Sequence, residues 1–193
     1  MRFLLRFSNA GHTPGEVRAL SSCAYDTVKA FGGDVGNLRV SSYAVEMDLL
    51  LSSKSKLQDA VHALESRLGH VLTLRELDVL GPQLEVNEEI GQGVELFNSE
   101  RYWESHEALE YAWRKAAGPE KEVLQGVILV AAALVHLQKN EGKVALSIIE
   151  RANNKLADKD AEYFGIDIEN LRNEISRMLL SRKAEFVRIK AVS

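Results

Sequence analysis

The residues best suited to chemistry lie between Phe97 and Ala117, where FNSERYWESHEALEYAWRKAA puts two tryptophans, one histidine, several carboxylates and an arginine on one helix. At about 100° per residue, Trp103, His106, Glu107, Glu110, Trp113 and Arg114 fall within one stripe, with Leu109, Ala112 and Ala116 on its flank. Such a stripe is neither a plain core face nor a plain solvated one. Glu110 stands one turn beyond His106 and Arg114 one turn beyond Glu110, so acid–imidazole and acid–guanidinium pairs are available locally.

The following segment, EVLQGVILVAAALVHLQ, is apolar nearly all round and is expected to be the central helix. Gln125 and His136 are close to three turns apart and share a face with Ala132. A buried amide and imidazole need partners. Glu107 and Glu110 of the preceding helix can accept from them, while Arg114 can grip a carboxylate in forked geometry. The expectation is that the two helices face each other and turn these side chains toward one partly buried spot.

Four uses fit that spot. As a metal site, His106 and Glu110 at i, i+4 with His136 from the facing helix would suit zinc or iron with an open position. Glutamate stands where an HExxH motif has its second histidine, and the ferritin-type Glu-x-x-His order is absent, so no metal or other cofactor is expected. As an acid–base site, Glu110 would orient His106 and Arg114 would stabilise negative charge. No serine or cysteine nucleophile is placed nearby, which leaves hydrolysis by activated water. As a pocket, Arg114 and His106 beside the indoles of Trp103 and Trp113 would suit a small anion or a peptide. As a structural network, the same groups would fix helix register, and His136→Ala would cost about 1–3 kcal/mol through unpaired partners. Ligand or protein binding leads as the functional expectation, with a hydrolase using His106 and Glu110 as the alternative.

The elements that must hold these residues form the second of two halves. Beyond Gly81-Pro82 the pattern loses strand periodicity, and helices are expected over Val86–Asn98, Glu100–Ala117, Glu120–Lys139, Gly142–Ala157 and Ile168–Ile189. Gly118-Pro119, Asn140-Glu141-Gly142 and Phe164-Gly165 connect them, as in a compact all-helical bundle over residues 83–193. Gly91-Gln92-Gly93 lies inside the first of these helices and reads as a close helix contact rather than a phosphate loop. The run GVELFNSERYWESHEALEYAWRKA, followed by LQGVILVAAALVH and GKVALSIIERANNKL, resembles the family called domain of unknown function 309. Its members share a helical domain with LF-x-x-x-x-YWE-x-HE-x-LE-x-x-W. Over roughly Glu88 to Leu180 the resemblance implies a helical bundle in which Trp103, Glu104, His106, Glu107, Glu110, Trp113, Gln125 and His136 match the pattern. It implies no activity.

The first 80 residues read as βαββαβ, a ferredoxin-like split motif, making the whole chain α+β. Arg2–Phe7 is a strand, and Thr13-Pro14 open a helix through Val17, Leu20, Ala24, Val28 and Phe31 that Gly32-Gly33 close. Asn37–Val40 and Tyr43–Leu51 pair around Ser41-Ser42. Ser53 or Ser55 caps a second helix ending at Gly69, and Val71–Val79 is the last strand. Phe3, Leu5 and Phe7 share a face suited to core packing. Self-association through the outer sheet face or an edge strand is the expected role of this half, giving a homo-oligomer.

The chain has 193 residues, 46% apolar and 27% charged, which is ordinary globular material with room for two small domains. A net charge of −4 and a pI near 5.8 give no bulk drive toward nucleic acid or an acidic membrane. Arg182, Lys183, Arg188 and Lys190 at the end of the last expected helix are the feature that would suit RNA, although a solvated face is the plainer use. Cys23 stands alone and reads as a small buried hydrophobe. The opening MRFLLRFSN is too short for a secretory core, and no run approaches about 20 apolar residues, so a cytoplasmic location is expected.

Overall fold

The computed structural model describes residues 1–77 and 85–192, which fall into two compact units. The boundary expected at Gly81-Pro82 and the far end of the strand expected to reach Val79 lie outside the described residues. The architecture is α+β, a four-stranded antiparallel sheet with two helices followed by a run of helices.

In the first unit, β1 (Arg2–Ser8), α1 (Val17–Lys29), β2 (Gly33–Val40), β3 (Ala44–Leu51), α2 (Leu57–Leu68) and β4 (Val71–Glu76) form a sheet of order β2-β3-β1-β4. Alternation along β1 sends Phe3, Leu5 and Phe7 into a core with Ala24, Val28, Ala60 and Leu64 of the helices. On the opposite face Arg2 and Arg6 carry charge on either side of the buried Leu4. Arg2 pairs with Asp48 at 2.7 Å, and Arg6 and Arg39 both reach Glu46, at 3.0 and 2.8 Å. A short turn at Pro14–Glu16 opens α1, with the Glu16 carboxylate accepting from the backbone of Thr13 at 2.8 Å. Gly69 closes α2 at φ 121°, where a Cβ would stand 2.2 Å from the carbonyl oxygen of Ser8.

The second unit runs α3 (Val86–Asn98), α4 (Tyr102–Lys115), α5 (Gly118–Gln138), α6 (Gly142–Leu156), β5 (Glu162–Tyr163), β6 (Ile166–Asp167) and α7 (Ile168–Ser181). Val123, Leu124, Val127, Val130, Ala131 and Leu134 of α5 are all fully buried, as its all-round apolar sequence requires. Two features depart from the all-helical expectation. Phe164 and Gly165, at φ 53° and 71°, make a two-residue hairpin turn between β5 and β6, the conformation such turns need at both central positions. The last helix stops at Ser181, where Arg182 takes the left-handed conformation, rather than at Ile189. Val187 and Ile189 explain why. On a helix they would point about 200° apart, whereas an extended chain turns both to one side, and both are buried. Asn98 clamps the backbone of Ile189 with two hydrogen bonds of 2.9 and 2.8 Å. Lys183, Arg188 and Lys190 are therefore not helical, and the helix-dipole argument for them lapses.

Helices α3 and α4 meet at Gly93, where a Cβ would come within 2.7 Å of the buried Leu109 side chain. Ser105 of α4 donates its hydroxyl to the Gly93 carbonyl at 2.8 Å. The close contact expected of Gly91-Gln92-Gly93 is thus made by its second glycine. A Cβ on Gly91 would meet no atom of the described residues within 4 Å beyond its chain neighbours and its own helix backbone. Gly91→Ala should stabilise the helical unit by about 0.5–1 kcal/mol through helix propensity. Gly93→Ala should destabilise it, because overpacking costs about 1–3 kcal/mol against the same gain. Urea unfolding followed by tryptophan fluorescence checks the opposite signs, since both tryptophans lie in α4.

Candidate functional site

On α4, Tyr102, Ser105, Leu109 and Ala112 are buried, and the adjoining positions Trp103, His106, Glu110 and Trp113 form a half-buried stripe beside them. Four of the six positions expected in the stripe are there, while Glu107 and Arg114 are exposed, and the side chains of the four are engaged with near neighbours. His106 stacks on Trp103, with ring centroids 6.0 Å apart and planes 6° from parallel. Glu110 accepts from Arg114 at 3.3 Å, in a pair whose side chains are 39% and 67% exposed. Lys121 places its Nζ 4.4 Å over the Trp113 ring. Glu107 is exposed. Glu104 is buried and held in a fork by Arg101 at 2.7 and 2.6 Å, within the first turn of the helix.

His106 Nδ1 and Trp113 Nε1 are buried without a hydrogen-bond partner among the described residues. Burial holds the His106 pKa below 6.5, and the nearby Glu110 carboxylate only partly opposes that. This imidazole is tuned toward its neutral form.

The partners expected from α5 lie elsewhere. His136 pairs through Nδ1 with Glu141, just past the end of its own helix, with side chains 34% and 45% exposed. Gln125 lines a pocket between α5 and α6. Among the described residues no group of three or more His, Cys, Asp or Glu is placed to hold a metal ion, so His106, Glu110 and His136 do not form a ligand set. The shared spot is thereby resolved into three separate places: the α4 stripe, the His136–Glu141 pair and the Gln125 pocket.

That pocket is open to solvent and has a volume of about 460 Å³. From α5 it takes Glu122, Gln125 and Leu129, and from α6 Arg151, Asn154 and Lys155. Asp158 and Lys159, just beyond α6, complete it. Lys159 donates to Glu122 at 2.6 Å, which holds the Glu122 carboxyl below its usual range and raises the Lys159 ammonium above its own. Three cationic side chains against two carboxylates leave an excess of positive charge beside one apolar wall, Leu129. The α6 wall was not among the site residues expected from the sequence. Its signal is present in RANNKLADK: positions 151, 154, 155, 158 and 159 have the spacing of a core stripe but are all polar or charged.

Residues 90–148 match the model of a family described as Domain of unknown function (DUF309). The matched residues lie in the helical part of the chain. The DUF309 match runs from α3 into α6 and includes the whole α4 stripe, Gln125 and His136, but it ends before Arg151, Lys155 and Lys159. No curated protein matches the chain.

Because the folded state depresses the His106 pKa, the unfolded chain binds its proton more readily. Its contribution to stability is therefore complete above pH 6.5 and is lost as pH falls through the lower folded value. Urea midpoints at pH 7.5 and 5.5 should show a stability loss on acidification that is smaller in His106→Gln. His136→Ala, whose partner is half-exposed, should cost less than about 1 kcal/mol rather than the 1–3 kcal/mol expected of a buried network.

Proposed function

We propose that the helical unit is a binding module for a small anionic ligand, held in the pocket between α5 and α6. One observation carries this reading: Arg151, Lys155 and Lys159 line a single cavity of about 460 Å³ together with an amide, Gln125, and an apolar wall, Leu129. That volume lies in the range of small-molecule sites, which are concave and use a few placed polar groups for orientation. Arg151 offers a planar fork and the lysines offer point charges, a complementary set for an oxyanion. Asn154 and Gln125 add neutral amides able to donate to hydroxyl or carbonyl oxygens of the ligand body.

A hydrolase built on His106 and Glu110 has less support. The Glu110 carboxylate already accepts from Arg114, and the imidazole Nδ1 is buried without a partner among the described residues. Geometry comes first in assigning a general base.

A ligand that binds only the folded state raises the melting temperature, by about 2.7 kcal/mol of stability at 100 times its Kd. Thermal melts of the full chain with millimolar citrate, benzoate, inorganic phosphate and phenyl phosphate should show an upward shift for at least one of them. Arg151→Ala and Lys155→Ala should each weaken that anion roughly 10- to 100-fold, the loss of one charge-assisted contact of about 1.5–3 kcal/mol. Equal shifts in wild type and in the double variant would sink the pocket as the site.

A further inference from the structure

The pocket contains its own carboxylate in the position of a competitor. Glu122 Oε2 lies 2.6 Å from Lys159 Nζ, and Lys155 acts on the same carboxylate through space. The two partners are unequally anchored. The Lys159 side chain is 19% exposed and that of Glu122 is 51% exposed, so the acid is the partner with room to leave. Arg172 of α7 strengthens the asymmetry by donating to the carbonyl of Lys159 at 2.6 Å, and to those of Leu156 and Ala157 at 3.2 Å each. The chain carrying Lys159 is therefore held in place from a second helix.

We infer that the anionic head of the ligand is a phosphate-type group that takes Lys159 from Glu122 and engages Arg151 and Lys155 at the same time. This rests on the pocket between α5 and α6 being the binding site. A monocarboxylate that displaces Glu122 exchanges one carboxylate for an equivalent one and still loses its own freedom of motion on binding. A phosphate monoester carries about −1.5 to −2 charge near pH 7 and three strong acceptor oxygens. It can satisfy three separate cationic side chains where a carboxylate, with two oxygens, leaves one of them unserved. Asp158, the second acid of the lining, repels either head and does not alter that ordering in kind. Leu129 is the apolar surface against which an organic substituent on the phosphate would rest. Glu122 sets the affinity: its carboxylate must be released from Lys159 before the head can bind.

Isothermal titration of the full chain with phenyl phosphate and with benzoate, in wild type, Glu122→Gln, Lys159→Ala and the double variant, tests this. Phenyl phosphate should bind wild type at least about 10-fold more tightly than benzoate, equivalent to about 1.4 kcal/mol. Glu122→Gln should tighten phenyl phosphate binding about two- to five-fold, the strength expected of a half-exposed ion pair. Lys159→Ala should weaken it and remove most of the gain from Glu122→Gln, since the two residues act as one unit. Benzoate binding as tightly as phenyl phosphate would overturn the phosphate head. Unchanged or weaker binding in Glu122→Gln, with wild type still binding, would overturn the competitor while leaving the pocket in place. Absence of binding by both anions to wild type and to Glu122→Gln would remove the pocket reading and this inference together.

Discussion

The helical unit depends on how closely α5 approaches α6, and that distance is set at Gly126. A Cβ there would stand 2.5 Å from Cδ2 of the fully buried Leu156, so only a residue without a side chain allows the contact. Once these two positions touch, their neighbours have little freedom. Gln125 and Lys155 each precede a contact residue by one position, and Glu122, Leu129, Arg151 and Lys159 lie within one or two turns of it. A pocket lined by polar groups thus forms around an apolar point of contact. Arg172 completes the arrangement by capping the carbonyls that the end of α6 leaves without helical partners.

The same device at Gly93 decides the fate of the α4 stripe. Leu109 fits against the missing side chain, and the Ser105 hydroxyl reaches the Gly93 carbonyl, which together fix the rotation of α4 about its axis. Tyr102, Ser105, Leu109 and Ala112 then occupy the core. Trp103, His106, Glu110 and Trp113 follow them by one residue and are turned about 100° away, to the boundary between core and solvent. At that boundary the indole and imidazole rings are covered enough to lose water at Nδ1 and Nε1. The ends of Glu110 and Arg114 remain wet enough to pair with each other. The low pKa of His106 follows from this rotation and needs no catalytic role.

Much of the fold was legible because local physics decides it. Alternation along Phe3, Leu5 and Phe7, the Thr13-Pro14 helix start and the left-handed glycine at 69 each act over a few residues, and the expected elements lie close to the observed ones. The observed ends of α3, Val86 and Asn98, are those the periodicity indicates. What stayed illegible is which faces meet. Gln125 and His136 do share a face, yet eleven residues of helix separate them by about 16 Å along the axis, too far for one small site. His136 then takes the acid nearest in sequence, Glu141, whose encounter costs little chain entropy, over acids on another helix. The tail beyond Arg182 illustrates a competition of periods: Ala184 and Val187 suit a helix, Val187 and Ile189 suit an extended chain, and the Asn98 clamp favours the second.

The α6 wall was hidden for a related reason. A polar stripe on an amphipathic helix is ordinarily its solvated side, and α6 has a clear apolar side in Ala145, Ile149, Ala152 and Leu156. Arg151 and Lys155 flank that apolar side, so the same rotation that buries Leu156 against Gly126 of α5 brings the two cations to the rim of the contact. Facing them, α5 offers one of the few polar interruptions of its apolar surface, Gln125, with Glu122 a turn earlier. Each helix alone gives a bland reading, the first as a core rod and the second as a surface helix. The chemistry belongs to the pair. It is set by register across the Gly126–Leu156 contact, and the conspicuous Trp-His-Glu signature of α4 has no part in lining it.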